Sequence, residues 1–278
     1  MPELPEVETV RRGLEKIILH KTIVKARAYR PDLRVPFPKD LSGKLNGRTI
    51  TAVARRAKYV LIHLNNGQTL VLHLGMSGRV TTGKKLTSGP HDHMEIVLSD
   101  GTQVLLNDPR RFGMVLLLRN NELKTHPAFA GLGPEPLGNE FSAPALREKL
   151  KGRKASIKQM LLDQRVVSGV GNIYACEALY KAGISPIRAA GRIGPEKAEK
   201  LVVAIRQVLT NAIAAGGSSL RDYRQVDGEL GYFQHSWSVY GKEGDKCPAC
   251  DCDSARTNGI KRITQSGRST FYCPRKQT

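Results

Sequence analysis

Tyr59-Val60-Leu61-Ile62-His63-Leu64 and Thr69-Leu70-Val71-Leu72-His73-Leu74 stand on either side of Asn65-Asn66-Gly67. Two apolar runs of strand length joined by turn residues read as a β-hairpin. Residues 94–98 and 103–106 flank Asp100-Gly101 in the same way, and 113–118 adds one more short strand. From Thr22 to Leu118 strands follow one another through tight turns with no helix between them, which predicts an antiparallel sandwich.

On the N-terminal side of this block the period changes. Val7, Val10, Leu14 and Ile17 recur at three- and four-residue spacing and make one buried helical stripe. Pro5 suits the first turn, Glu6 and Glu8 sit at the positive end of the helix dipole, and Gly13 weakens the pattern slightly. On the C-terminal side, Gly131-Leu132-Gly133-Pro134-Glu135-Pro136-Leu137-Gly138 is rich in turn residues and reads as a linker. Helical periodicity then returns. Residues 173–182 form a helix entered through Gly169-Val170-Gly171-Asn172. Leu201, Val202, Ile205, Val208, Leu209, Ala212 and Ile213 give a longer amphipathic one that stops at Gly216-Gly217. Residues 216–244 have low helical character and read as a mobile loop. The end of the chain combines cysteines with the strand-like Ser269-Thr270-Phe271-Tyr272. The fold class is therefore α+β. An N-terminal antiparallel β-sandwich carries the first helix (1–130), and a linker (131–143) leads to a helical domain with its loop (144–244). A β-hairpin finger (245–278) closes the chain.

Composition limits what such a chain does. Its 278 residues hold 44 Lys and Arg against 25 Asp and Glu, a formal charge of +19 spread along the whole length. That excess points to a polyanionic partner, nucleic acid before a membrane surface. No apolar run approaches the roughly 20 residues of a membrane span, and the acidic start Met1-Pro2-Glu3-Leu4-Pro5-Glu6 lacks the apolar core of a signal peptide. Four of the five cysteines fall at 247, 250, 252 and 273, a clustering that suits a terminal metal site in a cytoplasmic protein better than a disulfide framework.

The first residues carry chemistry of their own. Removal of Met1 would leave Pro2 with a free secondary amine, and an α-amino group has a pKa of about 8, so part of it is unprotonated near neutral pH. Attack of that amine on a sugar C1′ gives an iminium directly, and Glu3 beside it can supply a proton to the ring oxygen. A Pro-Glu start also serves simply as the entrance to a helix.

The opening Met1-Pro2-Glu3-Leu4-Pro5-Glu6-Val7-Glu8-Thr9 resembles that of the formamidopyrimidine-DNA glycosylases. The likeness continues in order through Arg55-Arg56-Ala57-Lys58-Tyr59, His73-Leu74-Gly75-Met76-Ser77-Gly78 and His91-Asp92-His93. It resumes at Asp108-Pro109-Arg110-Arg111-Phe112-Gly113, Val170-Gly171-Asn172-Ile173-Tyr174 and Gly267-Arg268-Ser269-Thr270-Phe271-Tyr272-Cys273. Leu4 resembles this branch, where the endonuclease VIII branch usually has glycine.

The resemblance implies a monomeric cytoplasmic, nucleoid-associated DNA-repair enzyme whose partner is damaged double-stranded DNA, held between a β-sandwich and a helix-two-turn-helix domain. It implies removal of 8-oxoguanine and ring-opened purines, then β,δ-elimination at the abasic site. Pro2 would be the nucleophile and Glu3 the acid. Lys58, on a strand, would meet the lesion's phosphate and donate a proton in β-elimination. Arg268 would serve δ-elimination, and because arginine barely deprotonates it acts as an electrostatic clamp.

A base must leave the stack before its C1′ is reached. Met76, Arg110 and Phe112 match the family's residues that fill the hole; the alternative for Met76 and Phe112 is ordinary core. His91, Lys154 and Asn172 match positions that touch the DNA backbone. Two rival functions are the same chemistry on oxidised pyrimidines and a catalytically silent damage-binding protein.

The finger departs from the family pattern of two Cys-x-x-Cys pairs around one structural zinc ion. Cys247-Pro248-Ala249-Cys250 keeps the first pair, but the second reads Cys273-Pro274-Arg275-Lys276, and 22 residues separate Cys250 from Cys273, more than is usual. A protonated lysine has no lone pair to offer a metal. The expected zinc ligands are therefore Cys247, Cys250 and Cys273, with Cys252 as the spare thiol; the alternative the resemblance also offers is a metal-free finger, and the hairpin holding Arg268 is expected to form either way.

Overall fold

The helix that opens the chain, α1 (Leu4–Ile18), has Pro5 in its first turn and buries Val7, Val10, Leu14 and Ile18. The buried stripe thus closes on Ile18, with Ile17 at its edge. The stripe packs into the core of the first of two compact units, made of residues 1–130 with 212–234; the second unit comprises 131–211 with 235–278. The computed structural model describes residues 2–218, 226, 229–250 and 259–278.

The first unit contains two four-stranded antiparallel sheets. One holds β1 (Ile23–Ala28), β5 (Arg79–Gly83), β6 (Asp92–Leu98) and β7 (Gln103–Asn107) in the order β1-β6-β7-β5. The other runs β2-β3-β4-β8, from β2 (Ile50–Arg56), β3 (Tyr59–Leu64), β4 (Gln68–His73) and β8 (Met114–Arg119). The predicted hairpin is β3–β4, with Val60 opposite Leu72 and Ile62 opposite Leu70. These four side chains share one core with Val7, Val10 and Leu14 of α1. A five-residue helix, α2 (Leu41–Leu45), interrupts the strands where none was expected; Asp40 caps it, accepting from the Gly43 amide at 3.1 Å. One turn is too short to leave a periodic signature.

The described residues of 212–234 group with the first unit, although the sequence reading placed them in the helical domain and its loop; residues 219–225 and 227–228 of that loop lie outside the described residues. Val226 lies in the first core, where its main-chain oxygen accepts from the Thr82 amide at 3.2 Å. It sits so close to α1 that a Cβ on Gly13 would come within 2.4 Å of its Cγ2. The glycine that weakens the helical pattern is thus the one that admits Val226.

The second unit is built from α3 (Ala143–Leu150), α4 (Ile157–Leu162), α5 (Asn172–Lys181) and most of α6 (Pro195–Ala214), with a hairpin of β9 (Lys261–Gln265) and β10 (Arg268–Tyr272). Ser142 and Ser156 cap α3 and α4. The segment read as a linker is packed: Arg206 of α6 donates to the carbonyls of Pro136, Gly138 and Phe141 at 2.7–3.3 Å. Among the described residues, no helix is long and apolar enough to cross a membrane.

Leu14 is fully buried in the core where α1 packs on the second sheet. Leu14→Ala is expected to destabilise the protein by about 2–5 kcal/mol. Chemical denaturation followed by tryptophan-independent far-UV circular dichroism measures it, and a change below about 1 kcal/mol would contradict this core assignment.

Candidate active site and nucleic-acid interface

Pro2 is buried and followed by Glu3, the N-cap of α1. Glu3 is 3% exposed and Glu6 2%. Glu6 brackets this terminus: one carboxylate oxygen accepts from the Glu3 amide at 2.8 Å, the other from the Ser218 amide at 2.8 Å. The sequence suggested only a helix-dipole role for Glu6, because its second partner lies 212 residues away.

The expectation that Lys58 lies on a strand is corrected. Ala57 and Lys58 form the two-residue turn between β2 and β3, and Ala57 takes a left-handed φ of 52°. Arg55 ties this turn to the first helix by donating to the Ala57 carbonyl at 2.9 Å and pairing with Glu8 at 3.1 Å. Burial pushes the Glu8 carboxyl up, but Arg12, Arg11 and Arg55 outweigh it and hold the group below its ordinary range. Lys58 itself is 8% exposed.

Beside Lys58, His73 at the end of β4 stacks at 4.8 Å on Tyr59. Burial, with the charges of Lys58 and Arg34, lowers its pKa to about 4, against a smaller opposing effect of Asp108. The neutral ring accepts from the Gly75 amide at Nδ1, 3.2 Å away. Gly75 has a φ of 60°, and a Cβ there would meet the Phe112 carbonyl carbon at 2.4 Å. The segments 75–78 and 108–113 are thus backed onto each other. Asp108, fully buried, holds them: its carboxylate accepts from the Ser77 hydroxyl at 2.6 Å and the Gly113 amide at 2.7 Å. Ser77 accepts in turn from the Arg110 amide at 3.1 Å. The Asp108 amide donates to the His91 carbonyl at 2.9 Å, which brings exposed His91 to the same place.

What this frame presents is unusual for a soluble surface. Met76 is 38% exposed and Phe112 46%, and the Arg110 guanidinium lies 4.9 Å from the Phe112 ring centre. The core alternative for Met76 and Phe112 is excluded. The trio is an exposed apolar cluster with a cation over its ring.

In the second unit, Asn172 is the first residue of α5 and reaches the finger. Its Nδ2 donates to the Tyr240 hydroxyl at 3.2 Å and the Ser269 carbonyl at 2.9 Å. The same carbonyl accepts from Lys158, a fully buried lysine of α4 that also donates to the Thr270 hydroxyl at 2.6 Å. Arg268 stands exposed directly after a tight turn at Ser266 and Gly267, both with positive φ. Gln159 of α4 donates to the Ser266 hydroxyl at 2.6 Å and fixes that turn. Glu177 of α5 accepts the three successive amides of Ser238, Val239 and Tyr240 at 2.8–2.9 Å, which sets Tyr240 beside Asn172. Lys154 is exposed just before α4. Sequence reasoning gave no role to Asp108, Lys158 or Glu177; Asp108 stood only as the first residue of the 108–113 motif, and a charged residue among apolar ones was the signal for Lys158 and Glu177.

The thiols of Cys247, Cys250 and Cys273 lie within 4.8 Å of one another. Three thiols this close are able to share one metal ion. Cys252 lies outside the described residues. Lys276 turns its ammonium to the face of Tyr180, 4.1 Å from the ring centre.

Comparison with known proteins agrees with this geometry. Residues 1–115 match the formamidopyrimidine-DNA glycosylase N-terminal domain and residues 132–224 the H2TH domain of the same proteins. The chain belongs to the formamidopyrimidine-DNA glycosylase family. It is 55% identical to the enzyme of that name from Rhodospirillum centenum, with all of both chains covered. It is similar to the crystal structure of the MutM (Fpg) protein of Thermus thermophilus, at 41% identity and a TM-score of 0.87 over 99% of this chain and 98% of that one. A mutant of the Lactococcus lactis Fpg crystallised with Fapy-dG-containing DNA matches at 34% identity and a TM-score of 0.90, over 99% of each chain. Family membership makes this protein a DNA glycosylase of base excision repair.

For this glycosylase His73 gives a pH test. Its folded pKa of about 4 lies below the ordinary 6.5, so the unfolded chain takes up a proton first as pH falls. Stability present above pH 6.5 is therefore lost progressively down to about pH 4, by about 3 kcal/mol for this group. His73→Gln should remove that share of the acid destabilisation. Parallel denaturation curves at pH 7 and pH 4.5 measure it, and identical losses in both proteins would contradict a buried neutral His73.

Proposed function

We propose that the chain excises 8-oxoguanine and ring-opened purines from duplex DNA through a Pro2 Schiff base and then cleaves the abasic strand by β,δ-elimination. The observation that carries this reading is the Met76–Arg110–Phe112 cluster, held out of the core by buried Asp108. Side chains of that size fill the space a flipped nucleotide leaves, and the arginine donors suit the orphaned cytosine.

With Met1 removed, the Pro2 nitrogen attacks C1′ and the bond to the damaged base breaks. Glu3 protonates the ring oxygen as the sugar opens, which leaves an iminium between Pro2 and C1′. Loss of a C2′ proton then expels the 3′ phosphate, with Lys58 as proton donor at the lesion's phosphate. A second elimination releases the 5′ phosphate, with Arg268 neutralising its charge. His91, Lys154 and Asn172 hold the strand by its phosphates. Residues 1–130 are the catalytic domain, the region from 144 to 244 binds DNA, and the finger carries Arg268. One zinc ion in the finger, on Cys247, Cys250 and Cys273, would brace it. The enzyme works as a monomer at the nucleoid in the cytoplasm. The Lactococcus lactis relative was crystallised with an abasic site as well as with Fapy-dG, and both suit this substrate class.

Borohydride trapping on an 8-oxoguanine duplex tests the chemistry. A covalent adduct is expected from the intact protein and almost none from Pro2→Gly. Glu3→Gln should abolish base release and spare part of the cleavage of a preformed abasic site. A trapped adduct at the normal level with an N-terminal tag in place would move the nucleophile elsewhere. Preferred release of thymine glycol would instead favour oxidised pyrimidines as the substrate.

Binding should also weaken steeply with salt, since about six phosphate contacts predict a log–log slope of about −5. Titrating a labelled duplex at several salt concentrations gives the slope, and a flat line would remove the phosphate contacts assigned above.

A further inference from the structure

A zinc tetrahedron takes four ligands, and the described part of the finger brings three thiols together. The position where a second Cys-x-x-Cys pair would end is Lys276. Its backbone keeps the expected shape, with the Lys276 amide 3.4 Å from the Cys273 sulfur. Its side chain leaves the cluster and lies on one face of Tyr180. The Tyr180 hydroxyl reaches the thiol cluster, 3.2 Å from the Cys247 sulfur. Tyr180, Cys247 and Cys273 are all buried, at 4%, 2% and 0% exposure.

We propose, on the reading of the finger as a metal site, that the Tyr180 hydroxyl oxygen replaces the missing thiolate and completes a three-sulfur, one-oxygen site for a thiophilic divalent ion. Two of the distances suit such a site, and a bound ion would draw in the wider thiol separations, which reach no more than 4.8 Å. With metal–sulfur bonds of about 2.3 Å and metal–oxygen bonds of about 2.0 Å, ligand atoms in a tetrahedron stand about 3.5–3.8 Å apart. The sulfurs of Cys250 and Cys273 are 3.6 Å apart, and the oxygen–sulfur contact is within a few tenths of an ångström of its value.

Lys276 then has a role its chemistry allows. A divalent ion with three thiolates carries a net negative charge in a largely buried place, and an ammonium on the ring face offsets it while fixing the ring. Tyr180 belongs to α5, the helix whose first residue, Asn172, holds the Ser269 carbonyl. The ion would therefore join the finger to the same helix that positions Arg268's strand.

Cobalt(II) added to the full-length, metal-stripped, reduced protein tests this. Its sulfur-to-metal charge-transfer band counts thiolates, and its visible bands report the fourth ligand. The intact protein should show three thiolates in a tetrahedral site. Tyr180→Phe should keep the three-thiolate band and the metal-free melting temperature, while it shifts the visible bands and weakens cobalt binding about tenfold or more. Lys276→Cys should gain about a third in charge-transfer intensity as a fourth thiolate joins. Cys252→Ser should change nothing. Unaltered spectra and affinity in Tyr180→Phe would overturn the Tyr180 assignment alone. A loss of about a quarter of the band in Cys252→Ser, from four thiolates to three, would do the same and name Cys252 as the ligand. Absence of any cobalt band in the intact protein would overturn the metal-site reading and this proposal with it.

Discussion

Two short loops of the sandwich, 75–78 and 108–113, leave large apolar side chains in water, and only a strong internal tie makes that tolerable. Asp108 supplies it. Its carboxylate has no solvent and is satisfied by the Ser77 hydroxyl and the Gly113 amide, while its carbonyl accepts from the His93 ring at 2.9 Å and the Arg111 amide at 3.1 Å. A buried carboxylate left without such donors loses several kcal/mol, so each loop is held in place by the other. The exposed trio and the approach of Gly75 to Phe112 both follow from that one arrangement, whereas His73 is neutral through burial and the charges of Lys58 and Arg34, against the pull of Asp108.

A similar logic runs at the N-terminus. Glu6 spends both carboxylate oxygens on backbone amides, one at Glu3 beside Pro2 and one at Ser218. Charge on the surface of this very basic chain serves its polyanionic partner, whereas the buried charges of Glu6, Asp108, Lys158 and Glu177 serve geometry. Long-range attraction and short-range positioning are assigned to different residues.

The parts of the fold that were legible in the sequence are those governed by period. The stripe of α1 and the long run of α6 repeat at three to four residues, and the two strands of the 59–74 hairpin are apolar runs buried almost throughout. The Asp-Gly hairpin and the Arg268 strand were legible through turn chemistry. Single polar residues with distant partners were not: nothing near Glu6 announces Ser218, and nothing near Lys158 announces Ser269 and Thr270. Lys58 was misplaced onto a strand because a two-residue turn closed by Ala57 at positive φ carries no glycine or asparagine to mark it. The family resemblance supplied the candidate site residues; the structure added which of them share a frame.

The Ser269 carbonyl, where Lys158 and Asn172 converge, has a consequence for how this surface can change over evolutionary time. Two of the bonds that place the hairpin on the helices end on a main-chain atom, which every amino acid provides, while the Thr270 and Ser266 hydroxyls take two more. The side chain at 269 is thus released from that duty and can drift, while the two donors cannot. Variation in the finger can accumulate on its outer residues, and in its metal ligands, without shifting the strand on which Arg268 stands.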